Sequence, residues 1–376
     1  MVEICYFIFM NKDDLKYWVG FSLINGIGAA RGNRLVNFFD SMKNAWNASE
    51  SELARAGIEE SVLKEIVKAR KEIDLDLEMK KIEEEGISLV TIKDKNYPKM
   101  LKEIYNPPFL LYVRGELKNE DEYAFAVVGA RRCSDYGRQV TKDLVSGLAQ
   151  NKITVVSGLA AGIDGIAHQT TLSVEGARTI AVLGSGIDEA SIYPAENRVL
   201  AKQIIDGRGA LISEYGIGTP PLKQNFPSRN RIISGLSLGV LVVEATETSG
   251  SLITGQLALE QGRDVFAVPG SIYNKNAAGP NALIKKGAKL VEKIDDILEE
   301  LHLRNVVEKI EAAEIIPENE DEKKVLKCLE LESRHIDEIV RESGVAISDL
   351  NAILTTMEMK GMVRGMGGGN YMRAKR

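Results

Sequence analysis

Two hydrophobic patterns alternate through the middle of the chain, from Tyr123 to Leu301. Short, continuous apolar runs are typical of parallel strands that are covered on both faces. Between these runs, apolar residues recur every three or four positions, as they do in amphipathic helices. The alternation predicts an α/β fold with a doubly wound, Rossmann-like, mostly parallel sheet. The predicted strands are Phe125–Val128, Ile153–Val156, Thr179–Leu183, Ala210–Ser213, Val240–Glu244, Val265–Val268 and Lys289–Val291.

The first part of the chain shows helical patterns only. We predict an N-terminal helical domain over residues 12–72, with glycine turns around Gly26 and Gly57. These turns resemble a helix–hairpin–helix or SAM-like domain, in which glycine lets the backbone approach a DNA phosphate closely. A small helical bundle that packs on its neighbour, with the glycines as simple caps, explains the same pattern equally well.

The remaining boundaries follow changes in composition. Residues 73–302 form the predicted sheet domain, which opens with a charged helix, a short strand at Ile87–Ile92 and a proline-rich extended segment along its edge. Residues 303–320 are charged and predict a linker. Residues 321–376 contain three helical patterns and a glycine-tipped hairpin, which predict a winged helix. Acidic side chains along its recognition helix favour contact with protein over contact with bases.

Composition limits the possible partners. The 376 residues are 44% hydrophobic and 27% charged, as in a globular protein of two or three domains. The formal net charge of -6 means that nucleic-acid binding must rest on a local basic patch. The three cysteines are isolated, and the apolar run Ile4–Met10, a strand or frayed arm, is too short to span a bilayer. We expect a cytoplasmic protein with no membrane segment, metal or cofactor.

Glycine turns follow the first two predicted strands and resemble anion sites. The first contains Gly129 and the paired arginines Arg131 and Arg132, which can make bidentate contacts to phosphate. Because the turn lacks dinucleotide-fingerprint spacing and a ribose-binding acid, it argues against NAD.

The second turn runs from Ser157 and Gly158 to Gly162 and Asp164. Its serine could donate to a phosphate, and Asp164 could cap the next helix. Asp164 and His168, one helical turn apart, could form an acid–base pair, although a buried pair that braces the turn is the stronger interpretation.

A third segment combines cations with one aromatic ring. Lys223, Phe226, Arg229 and Arg231 lie in a polar, proline-flanked stretch that we predict to be an extended loop. A base could stack on the ring while the cations hold the backbone.

A further strand-end turn contains Glu244, Ser249 and Ser251. Its two serines could hold a phosphate at a helix N-terminus. Glu244 could serve a hydrolase, but we favour a role in anchoring Arg229 or Arg231.

These motifs together resemble the DprA/Smf family of DNA-processing proteins. The matching segments, in order, are Tyr97-Pro98, Pro107–Gly115, Val128–Arg132, Ser157–Asp164, Tyr193-Pro194, Ser213–Tyr215, Phe226–Arg231, Glu244-Ala245, Ser249–Thr254 and Ala267–Gly270. The resemblance implies a Rossmann-like protein that dimerises, binds single-stranded DNA and hands it to a RecA-type recombinase during transformation or repair. Arg131, Lys223 and Phe226 then resemble the phosphate-gripping arginine, the cation and the stacking ring of that family, and Ser157 and Gly158 its phosphate-cradling turn.

We therefore expect a non-catalytic, sequence-indifferent single-strand binder. Two alternatives remain open. One is a nucleotide hydrolase, similar to phosphoribohydrolases, that uses Glu244. The other is a nucleotide sensor with a winged-helix output.

Overall fold

A nine-stranded sheet forms the centre of the first part of the chain. The structure is a computed structural model that describes residues 12–207, 209–303, 319–329, 333–359 and 362–373. The predicted arm Ile4–Met10 and nearly all of the predicted linker lie outside these ranges. The chain divides into two compact units, residues 1–301 and residues 302–376.

The strand order in the sheet is β1-β2-β6-β5-β4-β3-β7-β8-β9. All neighbours from β6 to β9 are parallel, and β1 and β2 add an antiparallel edge beside β6. The direction of winding reverses between β3 and β7, so the crevice for ligands is expected at the carboxyl ends of these two strands. The strands are β1 (Ser88–Thr91), β2 (Leu110–Gly115), β3 (Ala124–Val128), β4 (Thr154–Ser157), β5 (Thr179–Val182), β6 (Ala210–Ser213), β7 (Gly239–Val242), β8 (Asp264–Ala267) and β9 (Lys289–Leu290).

The predicted fold class is confirmed, and each predicted strand lies within two residues of an observed one. The apolar runs are continuous because separate hydrophobic cores cover the two faces of the sheet. In β5, Ile180 and Val182 point into one core and Ala181 into the other. The helices of this unit are α1 (Lys12–Ser22), α2 (Ala29–Phe38), α3 (Met42–Asn47), α4 (Glu50–Arg55), α5 (Glu60–Glu72), α6 (Leu75–Glu84), α7 (Lys99–Lys102), α8 (Asp135–Gln150), α9 (Ile163–Leu172), α10 (Arg198–Asp206), α11 (Asn225–Gly235), α12 (Gly250–Glu260), α13 (Ala278–Lys285) and α14 (Ile294–Glu300).

The N-terminal helices share a core with the sheet. Trp18 of α1 stacks on Phe109 at a centroid distance of 6.2 Å, and the hydroxyls of Ser22 and Tyr112 are 2.7 Å apart. A Cβ on Gly32 would lie 2.2 Å from the Phe109 ring, so α2 also packs tightly there. The packing thus shows no boundary near residue 72, where the end of the all-helical pattern had suggested one.

The second unit has the predicted winged-helix architecture. Its helices are Glu320–Cys328, Ile336–Ser343 and Ile347–Met359, and its three-stranded sheet pairs β10 (Arg334–His335) with β12 (Asn370–Arg373) and β12 with β11 (Val363–Gly367). Within the described ranges, no helix of either unit is both long enough and apolar enough to cross a membrane.

Candidate nucleic-acid interface

The turns after β3 and β4 interlock at the carboxyl edge of the sheet. Gly162 has a φ of 78°, and a Cβ there would lie 2.3 Å from the carbonyl oxygen of Ala130. The amide of Ile163 donates to the same oxygen at 3.2 Å. Gly129 packs against Ile163 with equally little room for a side chain. The two predicted glycine turns therefore form one rigid element.

Arg229 lies beneath this element, and our prediction that it projects toward DNA is wrong. Its guanidinium is buried and donates to the carbonyl oxygen of Gly158 at 2.7 Å and to that of Val182. A Cβ on Gly158 would lie 2.6 Å from the guanidinium. Burial, with some repulsion from Arg131, lowers the pKa of Arg229 to about 10, which leaves it charged at neutral pH.

Asp164 is the buried carboxylate next to Arg229. It lies inside α9, whose N-cap is Gly162, so the predicted capping role is wrong. It accepts hydrogen bonds from the amide of Gly158, at 3.2 Å, and from those of Ala160 and Gly129. Burial raises the pKa of Asp164, while Arg229 and these amides favour the charged form. The pair of charges therefore fixes the glycine turns from within.

Ser157 does not face a ligand. Its side chain is fully buried, and its hydroxyl donates to the carbonyl oxygen of Val127 at 2.6 Å. The predicted phosphate contact from this hydroxyl is wrong, because the residue completes β4 and points back toward β3.

His168 pairs with Thr179 and not with Asp164. The Thr179 hydroxyl donates to the carbonyl oxygen of Val155 at 2.7 Å, so Nδ1 of His168, 2.7 Å away, carries a proton and donates to that hydroxyl. Burial, helped by the charge of Arg229, lowers the pKa of His168 to about 3. The imidazole is therefore neutral, and an acid–base role with Asp164 is not supported by the contacts.

The buried histidine gives a testable pH dependence. An unfolded histidine has a pKa of about 6.5, so between that value and about 3 the unfolded chain binds one more proton. Below pH 6.5 the free energy of unfolding should therefore fall by about 1.4 kcal/mol per pH unit through this residue. His168→Asn should remove that part of the slope in denaturant titrations between pH 7 and 5. An unchanged slope would contradict the burial of a neutral imidazole.

Phe226 lies on the surface of the interlocked turns. Its half-buried ring is 5.6 Å from the Arg131 guanidinium carbon, 6.0 Å from that of Arg229 and 5.9 Å from the Tyr193 ring. The ring rests on Gly184, where a Cβ would approach to 3.1 Å. A cation and two aromatic rings thus meet at one place on the sheet edge.

The segment around this ring is a helix start and not the predicted extended loop. Helix α11 begins at Asn225, so Pro227 occupies its first turn, where a fixed φ and a missing amide hydrogen are tolerated. Lys223, just before the helix, is exposed. Arg131 and Arg132 are also exposed, and in the described part of the chain no carboxylate pairs with these three cations.

Arg231, unlike these cations, has a carboxylate partner within the described part of the chain. It forms a mostly buried ion pair with Glu214 at 2.5 Å. Burial raises the pKa of Glu214, and the charge of Arg231 counteracts the shift. Arg231 is therefore already paired, and our prediction of a DNA contact is wrong for this residue.

Glu244 anchors neither Arg229 nor Arg231, so that prediction is also wrong. Its buried carboxylate accepts from the amide and the hydroxyl of Ser134, at 2.8 and 2.5 Å, and from the side chain of Asn274 at 3.3 Å. A Cβ on Gly137 would lie 2.5 Å from this carboxylate. Glu244 therefore holds the start of α8 at the switch point between β3 and β7.

Ser249 caps helix α12 by accepting from the amide of Ser251, and the two hydroxyls are 2.8 Å apart. A phosphate at this helix N-terminus stays a prediction.

Tyr193 is the site residue that sequence reasoning missed. It was noted only as part of a motif, and it precedes Phe226 by 33 positions. Its 45% exposure next to Phe226 makes it part of the surface. Neither helical nor strand periodicity signals such a residue, because it lies in an irregular connection.

Comparison with known proteins places this arrangement in a family. Residues 88–302, which include the whole carboxyl edge of the sheet, match the family of DNA recombination-mediator protein A. The chain belongs to this family. Residues 310–369 match the winged-helix domain of DprA.

The relatives cover most of the chain. Protein Smf of Synechocystis sp. is 33% identical over 97% of this chain and 100% of its own length. The crystal structure of DNA processing protein A (DprA) from Streptococcus pneumoniae aligns with a TM-score of 0.65 at 37% identity, over 76% of this chain and 97% of that one. DprA from Helicobacter pylori, whose structure is described for its single-stranded DNA binding mode, aligns with a TM-score of 0.51 at 32% identity, over 57% of this chain and 95% of that one.

Proposed function

We propose that this member of the DprA family binds single-stranded DNA, without sequence preference, at the surface formed by Arg131, Tyr193, Lys223 and Phe226. The observation that carries the proposal is the half-buried Phe226 ring with the exposed Arg131 guanidinium 5.6 Å away. Unstacked bases bind aromatic faces and cations bind the backbone, and neither contact reads a base edge. The relative from Helicobacter pylori, described for its single-stranded DNA binding mode, supports the same ligand class.

The role we propose is binding and not catalysis. Glu244 is the carboxylate that a hydrolase on this edge would use, and its oxygens already accept hydrogen bonds from Ser134 and Asn274. Asp164 likewise fixes backbone amides beneath the surface. These carboxylates preorganise the turns that carry the DNA contacts.

Membership of a recombination-mediator family supports two further parts of the proposal. The protein would hand its single strand to a RecA-type recombinase, in transformation or in repair. From its resemblance to the DprA/Smf family we also propose that it acts as a homodimer. Sedimentation of the purified protein with and without the recombinase would measure both associations.

A titration of labelled oligo-dT and of a duplex at two salt concentrations tests the function. We expect tighter binding to the single strand and a loss of affinity as salt increases. Arg131→Ala should lower the magnitude of the negative slope of log affinity against log salt by about 0.7, the value for one phosphate contact on a single strand. Asp135→Asn, which removes a nearby exposed charge of the opposite sign, is the matched control and should not lower it. Equal affinity for the duplex would contradict the proposal.

A further inference from the structure

Two consecutive large apolar side chains project from the loop that follows β8. Ile272 is 85% exposed and Tyr273 is 93% exposed. Single exposed apolar residues need no explanation, but adjacent ones at a sheet edge that also carries unpaired cations indicate a contact surface. We call residues 269–276 the β8 loop.

The β8 loop is held firmly from both sides. Asn281 donates to the carbonyl oxygen of Gly270 at 2.9 Å and accepts from its amide at 3.2 Å. The Tyr136 hydroxyl donates to the carbonyl oxygen of Pro269 at 2.9 Å, and Asn274 donates to Glu244. The backbone is therefore preorganised while the two apolar side chains remain outside, as a binding platform requires.

The β8 loop is also joined directly to the cationic turn after β3. The side chain of Asn276 donates to the carbonyl oxygen of Arg132 at 3.0 Å. The exposed residues around this junction include Arg132, Lys275 and the half-exposed Tyr136. Aromatic faces interleaved with cations form the kind of surface on which single strands stack.

The strand order of the sheet places the β8 loop and the Phe226 surface (Arg131, Tyr193, Lys223 and Phe226) along the same carboxyl edge. Arg131, which follows β3, contributes its guanidinium to the Phe226 surface. Strand β8 lies two strands beyond β3 in the sheet. The Phe226 ring itself rests on Gly184, just after β5, so about four strand spacings, or roughly 20 Å, separate it from the β8 loop, a distance that several nucleotides cover. A single strand that leaves Phe226 and passes Arg131 and Arg132 would thus reach Tyr273.

We propose that Tyr273 and Ile272 form a second base-stacking subsite for the single strand, with Arg132 holding the phosphate between the two subsites. This inference rests on the proposed function and extends its DNA path across the carboxyl edge of the sheet.

Fluorescence anisotropy with oligo-dT of two lengths, about 3 and about 20 nucleotides, tests the inference, because about 3 nucleotides do not extend from Phe226 to the β8 loop. Tyr273→Ala should weaken binding of the long oligonucleotide about fivefold or more and leave the short one unchanged, because only the long one reaches the second subsite. Tyr105→Ala is the matched control, since Tyr105 is a 95% exposed tyrosine elsewhere on the same unit. It should change neither affinity.

The outcomes separate this inference from the proposed function. If Phe226→Ala no longer binds either oligonucleotide while Tyr273→Ala binds the long one normally, the second subsite is overturned and the first is left intact. Normal binding by both variants would remove the proposed function as well. If Tyr273→Ala instead lowers the sedimentation mass with unchanged DNA affinity, the β8 loop is a contact between copies of the chain and the inference is overturned.

Discussion

Replacing Arg229 with methionine is expected to destabilise the first unit by about 3–5 kcal/mol, because it removes buried charge-assisted hydrogen bonds and leaves the buried Asp164 carboxylate without a compensating charge. The guanidinium donates to the carbonyl oxygens of Gly158 and Val182, and it stabilises the buried carboxylate of Asp164. Methionine fills similar volume but provides neither the charge nor the donors. Because the glycine turns depend on these contacts, affinity for single-stranded DNA should fall as well.

Equilibrium unfolding in denaturant measures this effect. Arg132→Met, at an exposed position next to the same turn, is the matched control and should shift stability by less than about 0.5 kcal/mol. The double variant Asp164→Asn, Arg229→Met should lose less than the sum of the single variants, because the unpaired carboxylate is then gone. Strict additivity, or an Arg229→Met protein as stable as the parent, would contradict the charge pair.

Phe226→Ala is expected to weaken binding of oligo-dT by about 1–3 kcal/mol, which is the measured range for one base on an aromatic ring. The variant should keep the salt dependence of the parent, because the lost contact carries no charge. Anisotropy titration at two salt concentrations separates these quantities.

Two comparisons make the Phe226 experiment specific. Leu222→Ala removes a 43% exposed apolar side chain just before the same helix and should leave affinity unchanged. The unfolding midpoint of Phe226→Ala should be measured in parallel, since the ring also packs on Gly184. A folded variant with full affinity would show that no base stacks on Phe226.

The fold could be predicted because its strands are covered on both faces. Residues such as Ile180 and Ala181 enter opposite cores, so the whole strand reads as apolar. The antiparallel edge was harder to predict, because β2 follows a proline-rich segment and pairs with β6, nearly a hundred positions away. The boundary of the N-terminal region also could not be predicted, because the ring of Phe109, which lies in a distant segment, packs against helix α2 of that region.

The site shows a different limit. The residue types and their positions at strand ends indicated the correct edge of the sheet, but not the direction in which each side chain points. Arg131 and Arg229 look alike in the sequence, yet one is exposed and the other is buried. The difference depends on carbonyl oxygens that lie 71 and 47 positions from Arg229. Only the folded chain shows that such partners exist.

The stacking of Trp18 on Phe109 has a practical consequence for shortened versions of the protein. A fragment trimmed to residues 88–302, the region that matches the family, would expose Phe109 and Tyr112 to water, because it would lack the N-terminal helices that cover these two rings. Newly bare aromatic surface promotes aggregation. Biochemical work on the sheet should therefore retain helices α1 to α6, or replace these rings with polar side chains.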